Sequence, residues 1–107
     1  MEMKQIQAEV LRINTVKGWM KTSQSPLEAC MLIVTEVAEL AEAARRGCLK
    51  DPCDKDPSLT CEQEEIADII IRALDYANRS GFDAGEAVRA KLRINEGRAY
   101  RHGGKVI

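Results

Sequence analysis

The chain has 107 residues and a mass of 11.9 kDa, which is the length of one domain. Hydrophobic residues make up 45%, charged residues 31% and aromatic residues only 4%; this composition excludes a disordered chain and favours helices over a β-sandwich or barrel. The formal net charge of −1 argues against a dedicated nucleic-acid-binding protein, whose domain would be clearly basic.

Glycine and proline divide the first half of the sequence into two predicted helices. Apolar residues at helical spacing predict the first helix over about residues 2–17, ended by Gly18. The second helix begins at Ser25 and ends at Arg46. Ser25 is its predicted N-cap, proline follows at the first helical position, and Glu28 completes a capping box.

Two further helices are predicted in the second half. The third runs from Thr60, again with a capping-box pattern, to Ser80, and the fourth runs from Asp83 to about Glu96. Prolines and aspartates over residues 48–59 predict a loop between the second and third helices.

Cys30 lies in an apolar run and is predicted to be a buried thiol. Cys48, Cys53 and Cys61 lack a CxxC pair and a nearby histidine, which favours reduced thiols over a zinc site.

The helix pattern predicts an all-α fold, a four-helix bundle-like subunit. Apolar stripes follow one side of the second and third helices, but a chain this short buries little surface by itself. We therefore expect a homo-oligomer, either a dimer or a tetramer, that completes its core between subunits.

Paired carboxylates flank those apolar stripes. Glu36 and Glu39 are three residues apart on the second helix, and Glu65 and Asp68 repeat this spacing on the third. Residues three apart lie on the same side of a helix, so packing the two helices together brings four carboxylates to one seam. Carboxylates this close raise one another's pKa and need a cation. Oxygen ligands without histidine or cysteine suit Mg²⁺, which Mn²⁺ can replace.

The C-terminal part has the opposite charge. Residues 1–88 contain 10 Lys and Arg against 16 Asp and Glu, whereas residues 89–107 contain six against one. Lys91, Asn95 and Arg98 are spaced to share a helix face. They lead into a basic tail over residues 98–107. Cations and an amide beside a metal site are the groups that a polyphosphate requires.

These motifs resemble the MazG-type, all-α nucleoside triphosphate pyrophosphohydrolases. That family has an ExxE motif followed after a gap by ExxD, which appears here as Glu36 to Glu39 and Glu65 to Asp68. The resemblance continues into the C-terminal pattern of lysine, asparagine, arginine and Tyr-x-His-Gly-Gly-Lys, and covers about residues 17–107. It implies one pyrophosphohydrolase domain over residues 1–107.

The resemblance implies the reaction (d)NTP + H₂O → (d)NMP + pyrophosphate, with attack at the α-phosphate. The four carboxylates would hold Mg²⁺, and Glu36, Glu39 or Glu65 would accept the proton of the attacking water. The residues expected at the nucleotide are Trp19, Lys91, Asn95, Arg98, Tyr100, His102 and Lys105.

Two alternatives remain open from the sequence. One is a dUTPase-like or modified-nucleotide hydrolase on the same scaffold. The other is a non-catalytic helical oligomer that serves as an interaction or regulatory module. The sequence has no segment with the roughly 18 apolar residues of a membrane span and no signal-peptide core, so we expect a cytoplasmic protein that binds no membrane.

Overall fold

The computed structural model of the chain describes residues 1–100 and 106. In these residues it contains four α-helices, a short 3-10 helix after the first of them, and no strand. The helices are α1 (Met3–Val16), the 3-10 helix (Trp19–Lys21), α2 (Pro26–Arg45), α3 (Cys61–Ser80) and α4 (Ala84–Glu96). The predicted all-α class and its four helices are therefore confirmed, with every end within one residue of the predicted one.

Two capping boxes determine where the long helices α2 and α3 begin. The Ser25 hydroxyl accepts a hydrogen bond from the Glu28 amide at 3.1 Å, and the Glu28 carboxylate accepts from the Ser25 amide at 3.2 Å. Thr60 and Gln63 make the same exchange at 3.2 and 2.9 Å. Both motifs satisfy amide groups that the first helical turn leaves without partners. They also fix the positions at which the acidic residues of each helix occur.

The helices α2 and α3 form an antiparallel hairpin, α1 packs on α3, and α4 packs principally on α1. One buried amide side chain joins three of these helices. Gln7 of α1 donates to Asn78 Oδ1 at 3.1 Å and to the Phe82 carbonyl at 2.9 Å, and it accepts from the Ala84 amide at 2.9 Å. Asn78 donates in return to the Gln7 carbonyl at 3.1 Å. This network holds the end of α3 and the start of α4 against α1.

Burial within a single chain is sparse. The buried hydrophobic residues are Val10, Ala29, Cys53, Leu74 and Ala77. By contrast, Val34 and Val37 of α2 and Ile66 and Ile70 of α3 are 44 to 51% exposed. The predicted apolar stripes are thus only partly covered by this chain.

The prediction that Cys30 is buried is wrong, because its side chain is exposed. Ala29 and Glu36 are the buried residues of α2, and they lie seven residues apart on one face. Cys30 lies 100° around the helix from Ala29 and so points away from that face. Among the described helices, none has the length and apolar character that crossing a membrane requires.

Candidate metal centre and adjoining groove

Three of the four predicted metal ligands converge where α2 and α3 face each other. One carboxylate oxygen from each of Glu36, Glu65 and Asp68 lies within 4.8 Å of the other two. The antiparallel packing of the hairpin brings Glu36 opposite the Glu65–Asp68 pair, and the three-residue spacing keeps that pair on one side of α3. Glu39, one turn further along α2, is exposed and lies beside Glu65 but outside this set of three oxygens.

The cluster is strongly perturbed electrostatically. Burial raises the pKa of Glu65 to about 7, and the neighbouring Glu39 carboxyl adds to the rise through its hydrogen bond and its charge. Burial also raises the pKa of Glu36 and of Asp68. The pKa of Glu36 is raised further by the Glu39 charge and held down by its contact with Arg72. The predicted upward pKa shifts are borne out for Glu36, Glu65 and Asp68, but desolvation is a larger cause than the mutual repulsion that the sequence indicated.

The donor set fits a hard divalent cation. Glu65 Oε2 is buried and has no hydrogen-bond donor among the described residues. A buried carboxylate oxygen without a donor or a counter-charge is costly, and a cation between Glu36, Glu65 and Asp68 removes that cost. Carboxylate oxygens are the ligands that Mg²⁺ and Mn²⁺ prefer. These three residues would hold such an ion.

A groove of about 540 Å³ opens beside the carboxylates, between α1, the 3-10 helix and the hairpin. Its volume lies within the range of roughly 300–1,000 Å³ that is typical of small-molecule sites. The residues that line it include Trp19, Gln24, Glu36, Asp68, Arg72 and Arg79. The groove therefore joins the acidic cluster to an aromatic ring and two guanidinium groups.

Hydrogen bonds fix the 3-10 helix, and with it Trp19, at the edge of this groove. Arg79 donates to Asp75 Oδ2 at 2.8 Å and to the carbonyls of Thr22 and Trp19 at 2.8 and 3.1 Å. Asn14 of α1 donates to the other oxygen of Asp75 at 3.0 Å. The Trp19 side chain itself is 64% exposed, so its ring is accessible to a ligand.

Several groove residues were not predicted from the sequence. Arg72 follows Asp68 by four residues, so helical spacing could have placed it beside the cluster. Asn14 and Gln24 come from other elements, and no spacing rule connects them to the carboxylates. The Gln24 amide oxygen is buried without a hydrogen-bond partner among the described residues.

The predicted cationic residues of the C-terminal part lie elsewhere in the described chain. Lys91 and Asn95 are exposed on α4, Arg98 follows that helix, and none of the three lines the groove. Because α4 packs principally on α1, a single chain does not bring them to the hairpin seam. Tyr100 is 83% exposed. The predicted residues His102 and Lys105 lie outside the described residues.

The side chain of Glu64, in the first turn of α3, is partly covered by the preceding loop. Its side chain is only 22% exposed, and it accepts from the buried Cys53 thiol at 2.7 Å and from Lys55 at 3.2 Å. The thiol contact and then the ammonium lower the pKa of Glu64. These contacts form because the loop between α2 and α3 folds over the first turn of α3. Glu64 is therefore engaged by this loop and is not one of the three converging carboxylates.

Comparison with known proteins gives one partial likeness. A stretch of 36 residues is 53% identical to a protein of cyanophage S-2L named dATP/dGTP diphosphohydrolase. The match covers 34% of this chain and 34% of that relative, so the aligned part spans about a third of the curated protein. No protein-family model matches the chain. No solved structure matches it either.

Proposed function

We propose that this chain is a metal-dependent nucleotide pyrophosphohydrolase that converts (d)NTP and water into (d)NMP and pyrophosphate. The observation that carries the proposal is the convergence of Glu36, Glu65 and Asp68, with carboxylate oxygens within 4.8 Å of one another, beside a groove that Trp19 also lines. A divalent cation held by acidic ligands would bind the phosphates of a nucleotide, and a flat aromatic surface would stack on its base.

The name of the cyanophage relative supports a nucleotide substrate. That name specifies dATP and dGTP, and we infer that purine deoxynucleoside triphosphates are the first substrates to test. Stacking on Trp19 suits their extended rings. Since Trp19, Glu36 and Asp68 all line this groove of about 540 Å³, we infer that the base lies on the Trp19 side and the phosphates on the carboxylate side.

In the proposed reaction, Glu36, Glu65 and Asp68 hold the divalent cation. When bound, this cation polarises the α-phosphate and lowers the pKa of the attacking water. Glu39 then accepts the water proton on a carboxylate oxygen. We favour Glu39 over the two other candidates, Glu36 and Glu65, because it lies beside the cluster but outside the set of three oxygens.

Conservative amide variants separate these roles. Glu39→Gln is expected to bind Mn²⁺ with nearly wild-type affinity but to lose about 100-fold or more in kcat, the usual range for a lost general base. Asp68→Asn is expected to weaken Mn²⁺ binding as well. Titration calorimetry with Mn²⁺ and steady-state rates measure the two effects. Equal loss of Mn²⁺ affinity in both variants would assign Glu39 to the metal instead.

A substrate panel tests the proposed activity. The purified chain is incubated with Mg²⁺ and each NTP and dNTP, with dUTP included, and the products are separated by ion exchange. Monophosphate and pyrophosphate support the proposal, whereas a strict preference for dUTP would favour the dUTPase-like alternative. Absence of both turnover and nucleotide binding would favour a non-catalytic interaction module.

A further inference from the structure

Arg72 carries hydrogen-bond donors that the described structure leaves unused beside the acidic cluster. It lies one turn beyond Asp68 on α3, and its Nε–H donates to Glu36 Oε1 at 3.3 Å. Its side chain is 41% exposed and lines the groove. A guanidinium has five N–H donors in a planar fork. Only the Nε–H has an acceptor within the described part of the chain, so both terminal amino groups remain available to a ligand.

The second guanidinium of the groove is already engaged. Arg79 donates to Asp75 and to two backbone carbonyls, and its side chain is only 15% exposed. Its donors hold the 3-10 helix in place. The groove of one chain is not lined by the cations of α4, which are Arg89, Lys91 and Arg93. Arg98, which follows this helix, does not line it either. Arg72 is thus the groove cation, among the described residues, that combines open donors with direct contact to the cluster.

We propose that Arg72 is a substrate-binding residue that donates hydrogen bonds from its terminal amino groups to a phosphate of the nucleotide. The inference rests on the proposed function and adds a phosphate ligand from within the same chain. Guanidinium groups bind phosphate oxygens in a bidentate manner, which a lysine cannot reproduce. Its contact through Nε to Glu36 holds the guanidinium beside the residues that would bind the cation.

This role makes an unusual prediction, because Arg72 has opposite effects on the two ligands. Its positive charge repels a divalent cation and attracts a phosphate. Removing that charge in Arg72→Gln should therefore leave Mn²⁺ affinity unchanged or higher, while nucleotide affinity falls. A residue that merely holds the cluster in shape would lower both affinities.

The experiment compares Arg72→Gln and Arg72→Lys with wild type. Arg45→Gln is the matched control, because this substitution also removes one positive charge. Arg45 pairs with Glu42 on the exposed end of α2. Calorimetry measures Mn²⁺ alone, and then α,β-methylene-dATP, which cannot be cleaved between these phosphates, in saturating Mn²⁺. We expect Arg72→Gln to bind the analogue about 10- to 100-fold more weakly, as for a lost charged hydrogen bond. Arg72→Lys should be intermediate and Arg45→Gln unchanged.

Two results would overturn the inference. In the first, the wild-type chain binds Mn²⁺ and the analogue, and Arg72→Gln binds the analogue with the same affinity as wild type. This result would leave the proposed function intact. The other is a parallel loss of Mn²⁺ and analogue affinity in Arg72→Lys with unchanged helix content by circular dichroism, which would make Arg72 structural. If the wild-type chain binds neither ligand, the proposed function itself fails and the inference fails with it.

Discussion

Glu65 has a buried carboxylate oxygen without a hydrogen-bond partner among the described residues, which suits it to the proposed role of metal ligand. Its carboxylate is desolvated between two helices, and no described donor satisfies Oε2. Without a cation, the ionised form of such a residue opposes folding. The same residue is thus a source of instability in the metal-free chain, and the cation of the proposed function would remove that cost.

This conflict predicts how stability depends on pH when divalent cations are removed. The pKa of Glu65 is about 7 in the folded chain against an ordinary value of 4.5, so the folded state holds this proton more tightly than the unfolded state. The contribution of Glu65 to the free energy of unfolding should therefore be highest below pH 4.5 and fall as the pH rises to about 7. Burial moves the pKa of Glu36 and Asp68 in the same direction and adds to the fall.

Urea unfolding in EDTA, measured from pH 4 to pH 8, checks this expectation. Glu65→Gln, which mimics the neutral carboxyl, should be more stable than wild type at pH 8 and similar to it at pH 4. Glu86→Gln, an exposed residue of α4, serves as the control and should follow the wild-type profile. The same stability difference at both pH values in Glu65→Gln would contradict the raised pKa of Glu65.

At the scale of elements, local chemistry determined what could be predicted. Ser25 and Thr60 are N-caps whose partners lie three residues away, so their sequence patterns were sufficient to place the starts of α2 and α3. Helical spacing then predicted which acidic residues share a face. The groove was not predictable in this way, because it depends on the angle at which α1 and the 3-10 helix meet the hairpin. Arg79 and Asn14 fix that angle through long-range hydrogen bonds.

The Gln7–Asn78 network gives a prediction about helix packing. Gln7 is 8% exposed and its amide is satisfied by partners on both sides of the α3–α4 turn. Gln7→Leu and Asn78→Leu should each lower the free energy of unfolding by about 1–3 kcal/mol, because each leaves buried polar groups without partners. Asn95→Leu, at an exposed position of α4, should change it by less than about 0.5 kcal/mol.

A double-mutant cycle on Gln7 and Asn78 identifies the cause. Since the two side chains share hydrogen bonds, the effects of the two single changes should not add, and the coupling energy should exceed about 0.5 kcal/mol. Urea unfolding of the wild type, both single variants and the double variant measures it. Strict additivity would show that the two amides stabilise the packing independently.

At the scale of the whole molecule, the exposed apolar residues of the α2–α3 hairpin favour assembly. A chain of 11.9 kDa with few buried hydrophobic residues is marginal as an isolated fold. We propose that a second copy covers the exposed valines of α2 and isoleucines of α3. Such an assembly also offers a route by which residues of α4 from one copy reach the carboxylates of another.

Light scattering coupled to size-exclusion chromatography tests this proposal. The wild-type chain should have a mass of at least twice 11.9 kDa. Val34→Asp and Ile70→Asp should each shift it toward the monomer, since a buried charge is costly at an apolar interface. Ile94→Asp, an equally exposed apolar position on α4, should keep the wild-type mass. If Ile94→Asp dissociated the assembly and the two hairpin variants did not, the interface would lie on α4 and the proposal would be wrong.

The fold determines where the acidic residues of positions 1–88 and the basic residues of the C-terminal part lie. The hairpin brings the acidic side chains of Glu36, Glu65 and Asp68 together, whereas Glu42 and Glu62 have basic partners of their own. The basic C-terminal residues could be predicted to suit phosphate from their charge alone. Their position on a helix packed against α1 could not, because that packing depends on the buried Gln7 amide.

The position of the bond that is cleaved tests the central proposal most directly. The chain is incubated with dATP and Mg²⁺ in water enriched in ¹⁸O, and the products are analysed by mass spectrometry. If water attacks the α-phosphate, the products are dAMP that carries the label and unlabelled pyrophosphate. Labelled pyrophosphate, or dADP with inorganic phosphate, would contradict the account.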